Sequence, residues 1–314
     1  MQAVILAAGM GTRLRPVTAN RSKAMVPVLG RPLVERALLP FTKNGVRDFV
    51  FVISPDDAEI TRHFAERTSL DITARFVVQE ERLGTAHALR HAAPLVDGRF
   101  VVSACDSLLE PWHVQKLFSV AENADAVLSL LDVEPEKLCR SGVVELDGER
   151  IRRIVEKPSR ENAPSNTVSL PHYVFSPRLL EILPSVEPSV RGEFELQDAI
   201  QGLIDGDQTV IGVRGEKRFQ VSSPEDLLEL TRQLFSVGSE PFRIGPAAVS
   251  PGMTLVEPFH VEPGTVLGDG CEIGPETYLE SGCHIGRGAV VRRSIVLRGG
   301  RVDDGEVVDA QVVT

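Results

Sequence analysis

The chain is expected to fold as an α/β domain on a mostly parallel sheet, followed by a short parallel β-solenoid. Three observations carry this. From Met1 to about Gln233, apolar strand-like runs alternate with amphipathic helical stretches. Such alternation implies a parallel sheet with helices on both faces. Beyond it, aliphatic residues recur at every sixth position, a period that suits neither a helix nor an amphipathic strand. Between the two patterns lies Ser236-Val237-Gly238-Ser239-Glu240-Pro241, a linker-like stretch. Domains are therefore expected over 1–236 and 243–314.

The first strand, Val4–Ala8, runs into a turn at Gly9-Met10-Gly11. Further strands are expected at Phe49–Ile53, Arg75–Gln79, Phe100–Ala104 and Ala126–Leu131, with His172–Phe175 and Thr209–Val213 later. Between the early strands, Pro32–Phe41, Asp56–Thr68, Thr85–Ala93 and Glu110–Ala121 have helical spacing. Pro32 suits a first helical turn, where its missing N–H costs nothing. Asp147-Gly148 marks the turn of a hairpin made by Gly142–Leu146 and Ile151–Glu156. Ligands of open parallel sheets sit at the carboxyl ends of the strands. The Gly9 turn, Gln79, Asp106 and the hairpin end at Glu156 are thus expected around one crevice.

The six-residue beat runs through Val249, Leu255, Val261, Leu267, Ile273, Leu279, Ile285, Val291 and Leu297. Two positions before these, small residues prevail: Ala247, Thr265, Cys271, Thr277, Cys283 and Ala289, with Met253 and Phe259 larger. This is the pattern of a three-sided parallel solenoid whose inner corners are aliphatic. His260 and His284 are expected to face outward, and Gly299–Thr314, without the beat, to form a cap or final strand. A short solenoid with open ends suits subunit pairing, so a homo-oligomer is expected.

Composition excludes several classes. The net charge of −10 argues against nonspecific binding to nucleic acid or an anionic membrane. No apolar run approaches the ~20 residues of a membrane span, and the first residues already read as a strand. The cytoplasm is the expected location. Cys105, Cys139, Cys271 and Cys283 lack C-x-x-C spacing and read as small buried hydrophobes.

The chemistry is carried by short motifs. Glycines at 9 and 11 let backbone N–H groups approach phosphate oxygens. Arg13 can fork onto two oxygens, and Lys23, ten positions on, offers a movable point charge. The G-x-G-x-x-G of dinucleotide folds and the G-K-[ST] of a Walker loop are both absent. The whole string Leu6-Ala7-Ala8-Gly9-x-Gly11-Thr12-Arg13-Leu14-x-Pro16, followed by Ser22-Lys23 and Pro27, resembles the signature of the sugar nucleotidyltransferases. Gln79-Glu80-Glu81-Arg82-Leu83-Gly84-Thr85-Ala86-His87-Ala88 is similar to that family's base-binding segment, in the form of its uridylyl- and thymidylyl-transferring members. The C-terminal beat resembles the hexapeptide-repeat, left-handed β-helix.

That resemblance implies a Rossmann-like nucleotidyltransferase domain that makes an NDP-sugar and pyrophosphate from a nucleoside triphosphate and a sugar 1-phosphate. UTP or dTTP is the favoured nucleotide. Ala7, Gly9, Gly11 and Thr12 would contact nucleotide, with Gln79, Gly84 and Thr85 around the base. Asp106, which ends the strand Phe100–Ala104, would hold magnesium. Gly142, Glu156 and Ser169 would line the sugar site, and Lys157 would neutralise the sugar phosphate. Arg13 and Lys23 would serve the leaving pyrophosphate and the α-phosphate. Glu193-Phe194-Glu195-Leu196-Gln197-Asp198 matches the family's acidic segment that opens a helix.

The chain departs from the family at two positions. Gln220 stands where a second metal-binding aspartate is usual, with Glu225 and Asp226 expected to begin a helix after Pro224. Pro171 replaces a glycine of the sugar site. These departures leave a nucleotide-sugar sensor as the alternative to an active enzyme. Acyl transfer on the solenoid would need His260 or His284 as a base.

Overall fold

The computed structural model describes residues 1–217, 219–238, 243–245 and 250–314, with only the backbone of Arg243. Ser239-Glu240-Pro241 of the expected linker, and Ala247 and Val249 of the repeat, lie outside the described residues. Contacts divide the chain into two compact units: Met1–Gly9 with Val34–Phe219, and Met10–Leu33 with Gln220–Thr314. The repeat pattern changes near residue 240, whereas the contacts change at 219 and also set residues 10–33 with the solenoid.

The first unit alternates as its periodicity predicts: β1 (Gln2–Leu6), α1 (Leu33–Lys43), β2 (Asp48–Ile53), α2 (Ala58–Glu66), β3 (Thr73–Val78), α3 (Thr85–Ala92), β4 (Phe100–Ala104), α4 (Pro111–Ala121) and β5 (Ala126–Asp132). Then follow the hairpin β6 (Gly142–Asp147) and β7 (Arg150–Glu156), β8 (Thr167–Phe175), α5 (Arg178–Ile182), α6 (Leu196–Asp205) and β9 (Val210–Arg214). The sheet order is β3-β2-β1-β4-β8-β5-β9-β7-β6. β3, β2, β1 and β4 are mutually parallel, as are β5 and β9. β8 runs antiparallel between β4 and β5.

Side chains on β2 alternate between two layers. Val50 and Val52 join Val4 and Val102 in a core with Ala86 and Leu89 of α3 and Ile200 and Leu203 of α6. Phe51 points the other way, its ring centroid 4.5 Å from that of Phe64 on α2. Leu89 and Ile200 are fully buried, and each such side chain contributes roughly 1.5–3 kcal/mol. Pro171 lies inside β8 where the register with β5 slips between Ser169 and Tyr173. A bulge tolerates a residue without an N–H.

In the second unit, α7 (Pro224–Ser236) starts with a capping box in which Ser223 and Asp226 exchange side-chain and backbone bonds. Asp226 Oδ2 accepts from the N–H groups of Ser222 and Ser223. This carboxylate is committed to the helix start.

Three parallel ladders build the solenoid. Val261 pairs with Leu279, eighteen residues on, but Leu279 pairs with Val296, only seventeen on. The beat therefore continues past 297 in a different phase: Ile285 pairs with Val302, Val291 with Val308 and Val296 with Val313. The residue that keeps the beat is Val296 rather than Leu297, and Gly299–Thr314 is more coil rather than a cap. The shortening falls at the corner Arg292-Arg293-Ser294, where Arg293 takes the left-handed turn (φ 49°). The small inward positions Thr265, Cys271, Thr277, Cys283 and Ala289 are all buried, as expected. Burial pushes the Cys283 thiol up to about 12, so it is inert at neutral pH.

Two further expectations are corrected. Cys139 is exposed, on the short turn Pro135–Arg140. His260 is buried rather than solvated, edge-on to Tyr278 and against Gly30 of the 10–33 segment. Among the described residues, no helix is long and apolar enough to cross a membrane.

Candidate active site

Register brings the carboxyl ends of four strands level. Leu6 pairs with Val52 and with Ala104, and Ile53 with Val78. Ala7 and Gly9 follow β1, Gln79 follows β3 and Asp106 follows β4, so these residues share one edge of the sheet. Asp106 is 9% exposed. Around it, His172 of β8 bonds Ser103 Oγ through Nδ1 (2.9 Å) and Ser107 Oγ through Nε2 (2.8 Å). This buried imidazole bridges the serine side chains on either side of Ala104-Cys105-Asp106.

The next cluster surrounds Gln79, which is buried. Its Nε2 donates to Gly84 O at 3.2 Å and lies 3.0 Å from His87 Nδ1. Gly84 has φ 111°, and a Cβ there would lie 2.5 Å from Phe194 O. Only glycine fits where these two backbones cross. Thr85 does not cap its own helix; its hydroxyl accepts from Leu196 N at the start of α6 (3.0 Å). Arg82 Nε donates to Ala8 O (2.8 Å), tying this segment to the residue before Gly9.

A third cluster lies at the hairpin. Glu156 pairs with Gly142 across it. A Cβ on Gly142 would sit 2.9 Å from Gln197 Cγ and 3.3 Å from Glu156 Oε2, so the bare glycine keeps this face open. Glu156 Oε1 meets Lys157 Nζ at 3.0 Å, while Oε2 is buried without a hydrogen-bond partner. Lys157 is left-handed (φ 45°), and its N–H bonds Ser141 O at 3.1 Å. Backbone strain of this kind collects where geometry serves a task.

Burial pushes the Glu156 carboxyl above its ordinary range, a shift that Lys157 opposes without cancelling. Asp198 is likewise raised, first by burial and then by the nearby Glu195. Glu195 is itself held by Arg191 at 2.7 Å. Ser169 Oγ and Gln197 Nε2 both donate to the Tyr173 hydroxyl, each at 3.4 Å.

The remaining candidates, Gly11, Thr12, Arg13 and Lys23, belong to the second unit. Gly11 is left-handed (φ 61°), and a Cβ there would meet Lys23 Cβ at 3.0 Å, so the glycine turn and the lysine lie side by side. Thr18 Oγ1 donates to Gly11 O (2.9 Å) and braces the turn. Thr12 and Arg13 are exposed. Gln220 also falls in this unit.

Among the described residues, no three histidine, cysteine or acidic side chains gather into a metal site. A single buried carboxylate of the kind Asp106 offers still fits magnesium, which takes one or two carboxylates and completes its shell with phosphate and water oxygens. Sequence reasoning missed Arg82, His172 and Tyr173, and it did not single out the roles of His87 and Gln197. Arg82 and His87 stood within the quoted base segment and Gln197 within the quoted acidic one; His172 and Tyr173 carried no local signal.

An open α/β sheet with a carboxylate, an amide clamp and a glycine-floored acidic recess at its edge is the framework of a nucleotide-handling enzyme. Residues 2–235 match the nucleotidyl transferase family, and the chain belongs to that family. Among its relatives, the UTP–glucose-1-phosphate uridylyltransferase AglF of Haloferax volcanii is 34% identical over 238 residues, covering 74% of this chain and 96% of its own length. The bifunctional protein GlmU of Methanococcus maripaludis is 34% identical over 206 residues, or 65% of this chain and 47% of its own. This chain thus spans about half of that relative. A UDP-glucose pyrophosphorylase solved with UDP-glucose superposes with a TM-score of 0.68 at 23% identity, over 75% of this chain and 98% of its own. A UTP-bound UGPase from Acinetobacter baumannii gives 0.67, also at 23% identity, over 76% and 94%. These likenesses show a shared fold.

Proposed function

We propose that this nucleotidyltransferase moves UMP or dTMP from UTP or dTTP onto a sugar 1-phosphate and releases pyrophosphate. The observation that carries this reading is the recess at Gly142. There a buried carboxylate oxygen of Glu156 lacks a donor, beside an ammonium that can meet a phosphate. A sugar hydroxyl supplies the first and a sugar phosphate accepts the second. AglF, by its name, acts on UTP and glucose 1-phosphate, which supports the same substrate classes.

In this reading a sugar-phosphate oxygen attacks the α-phosphorus in line, and pyrophosphate leaves. Both reactants are anions, so the enzyme's work is alignment and charge neutralisation. Lys157 steadies the nucleophile. Lys23 serves the α-phosphate, Arg13 the departing pyrophosphate, and Ala7, Gly9, Gly11 and Thr12 offer backbone to the nucleotide. Gln79, Gly84 and Thr85 frame the base, and Ser169 with Gly142 and Glu156 the sugar. A phosphate monoester is already ionised near neutral pH, so no general base is required. When bound at Asp106, magnesium would neutralise charge on the phosphate oxygens. We further propose that residues 1–236 carry catalysis and that the 243–314 solenoid pairs copies of the chain; sedimentation of the purified protein tests that pairing.

The direct assay is pyrophosphate release with magnesium, crossing UTP, dTTP, GTP, CTP and ATP against a panel of sugar 1-phosphates. Turnover with UTP or dTTP is the expected result. No turnover, or turnover with purine nucleotides alone, would overturn the reading.

Glu156→Gln provides a second check. The folded-state pKa of Glu156 lies above its unfolded value, so the native state binds its proton more tightly. Its contribution to stability is present below the unfolded pKa and is lost as pH rises through the folded pKa. At pH 7, above the unfolded value, the raised pKa opposes folding. The variant is therefore expected to be more stable than the parent at pH 7, and that gain to shrink at pH 4. It should also raise the KM for sugar 1-phosphate about tenfold through loss of a charge-assisted hydrogen bond. Urea midpoints at both pH values and sugar saturation curves read the two effects; a destabilised variant at pH 7 would contradict the first.

A further inference from the structure

We infer that His87 is a positioning residue that sets base specificity by turning the Gln79 side chain into a pure hydrogen-bond acceptor. This rests on the reading that Gln79 meets the base.

A primary amide has two donors and one acceptor group. Gly84 O, 3.2 Å from Gln79 Nε2, is a carbonyl and can only accept, so the NH2 end of Gln79 must face it. That same nitrogen lies 3.0 Å from His87 Nδ1 and has only hydrogens to offer. His87 Nδ1 therefore accepts, and the ring carries its proton on Nε2. Burial, then the neighbouring His91 and Arg90, keep His87 below its ordinary pKa and leave the Nδ1 lone pair available at neutral pH. The ring is held by near-parallel contact with Phe194 at 6.0 Å and by edge contact with His91 at 4.7 Å.

Both amide hydrogens of Gln79 are then committed inside the protein, and Oε1 is the only group left to a ligand. No hydrogen bond from the described residues reaches it. An acceptor at this position suits the imide N3–H of uracil or thymine. Cytosine presents a lone pair at N3, which would face that oxygen with no proton between them. Gln79 in another setting could rotate its amide by 180° and serve either pyrimidine. Here the Gly84 carbonyl and the His87 lone pair act together against that rotation. His87 touches no reacting atom in this account; it acts through Gln79.

The test is the ratio of kcat/KM for UTP to that for CTP at a fixed sugar 1-phosphate, in the parent, His87→Leu and His87→Asn. Leucine removes the acceptor, and the asparagine Oδ1 restores one near the Nδ1 position. The expected ratio falls about tenfold in His87→Leu, the scale of one neutral hydrogen bond, and recovers in His87→Asn. A merely structural role would lower both nucleotides alike and leave the ratio unchanged, which would overturn the inference while uracil specificity of the parent stood. A parent that does not prefer UTP over CTP would instead overturn the base-site reading itself. Nitrogen-15 NMR of the His87 ring in the unmodified protein gives an arm independent of variant folding. The Nε2–H tautomer is expected, and an Nδ1–H tautomer would sink the proposal.

Discussion

Protein carrying Glu280→Ala is expected to lose about 3–5 kcal/mol of folding stability, the usual result of leaving one member of a buried ion pair behind. Glu280 is 3% exposed. Its two oxygens lie 2.8 and 2.9 Å from Arg21 Nη1, and they also take the Arg298 backbone N–H at 2.7 Å and Arg298 Nη2 at 3.2 Å. Removing the carboxylate strands the Arg21 guanidinium, whose side chain is only 12% exposed. Arg21 lies in the 10–33 segment that also carries Arg13 and Lys23, so loosening it is expected to lower turnover at temperatures where the fold survives. Urea unfolding of Glu280→Ala and of the double variant Arg21→Met/Glu280→Leu makes the check. The double variant should recover most of the loss, because two apolar side chains need no solvation. A single variant within about 0.5 kcal/mol of the parent, the range of an ordinary surface change, would show that the pair is dispensable.

The second large effect is expected at Gly84. An alanine there places its Cβ 2.5 Å from Phe194 O and 2.7 Å from Phe194 N, both backbone atoms that cannot rotate aside, at φ 111°. The crossing is stitched by Phe194 N–H to Leu83 O (2.7 Å) and Ala86 N–H to Phe194 O (2.9 Å). Gly84→Ala should therefore cost about 3 kcal/mol, a left-handed penalty and an overpacking penalty together. Activity should fall further than stability, since the displaced Gly84 carbonyl is one of the two groups that orient Gln79. Gly9→Ala is the control: nothing lies within 4 Å of its Cβ, and its stability should stay near that of the parent. Equal stability of the two variants would refute the crossing as the reason for a glycine at 84.

Much of the first unit was legible because its central strands, β1, β2, β4 and β5, are short apolar runs buried along most of their length. Phe100–Ala104 was read at its observed bounds, and the hairpin turn falls one residue beyond the expected Asp147-Gly148, at Gly148-Glu149, with Asp147 still paired to Arg150 and Gly148 at φ 62°. The solenoid was legible for the same reason, since one inward residue recurs per face. The beat was lost at Val296 because a coil shortened by one residue keeps its ladder while shifting its phase. That is visible only when Leu279 is seen to pair with Val296. Pro171 read as a defect in a sugar site, and a register slip explains how the strand carries it.

What the sequence determined by itself was the kind of each element and the residue types at the strand ends. Those depend on periodicity and turn chemistry within a few neighbouring residues. What only the tertiary structure decided was which groups those residues meet. Glu280 and Arg21 are separated by 259 positions, His260 is buried under a glycine more than two hundred residues earlier, and Gly84 is explained by the backbone of Phe194. No local pattern encodes such contacts, because each exists only after distant segments have packed and water has been excluded from between them.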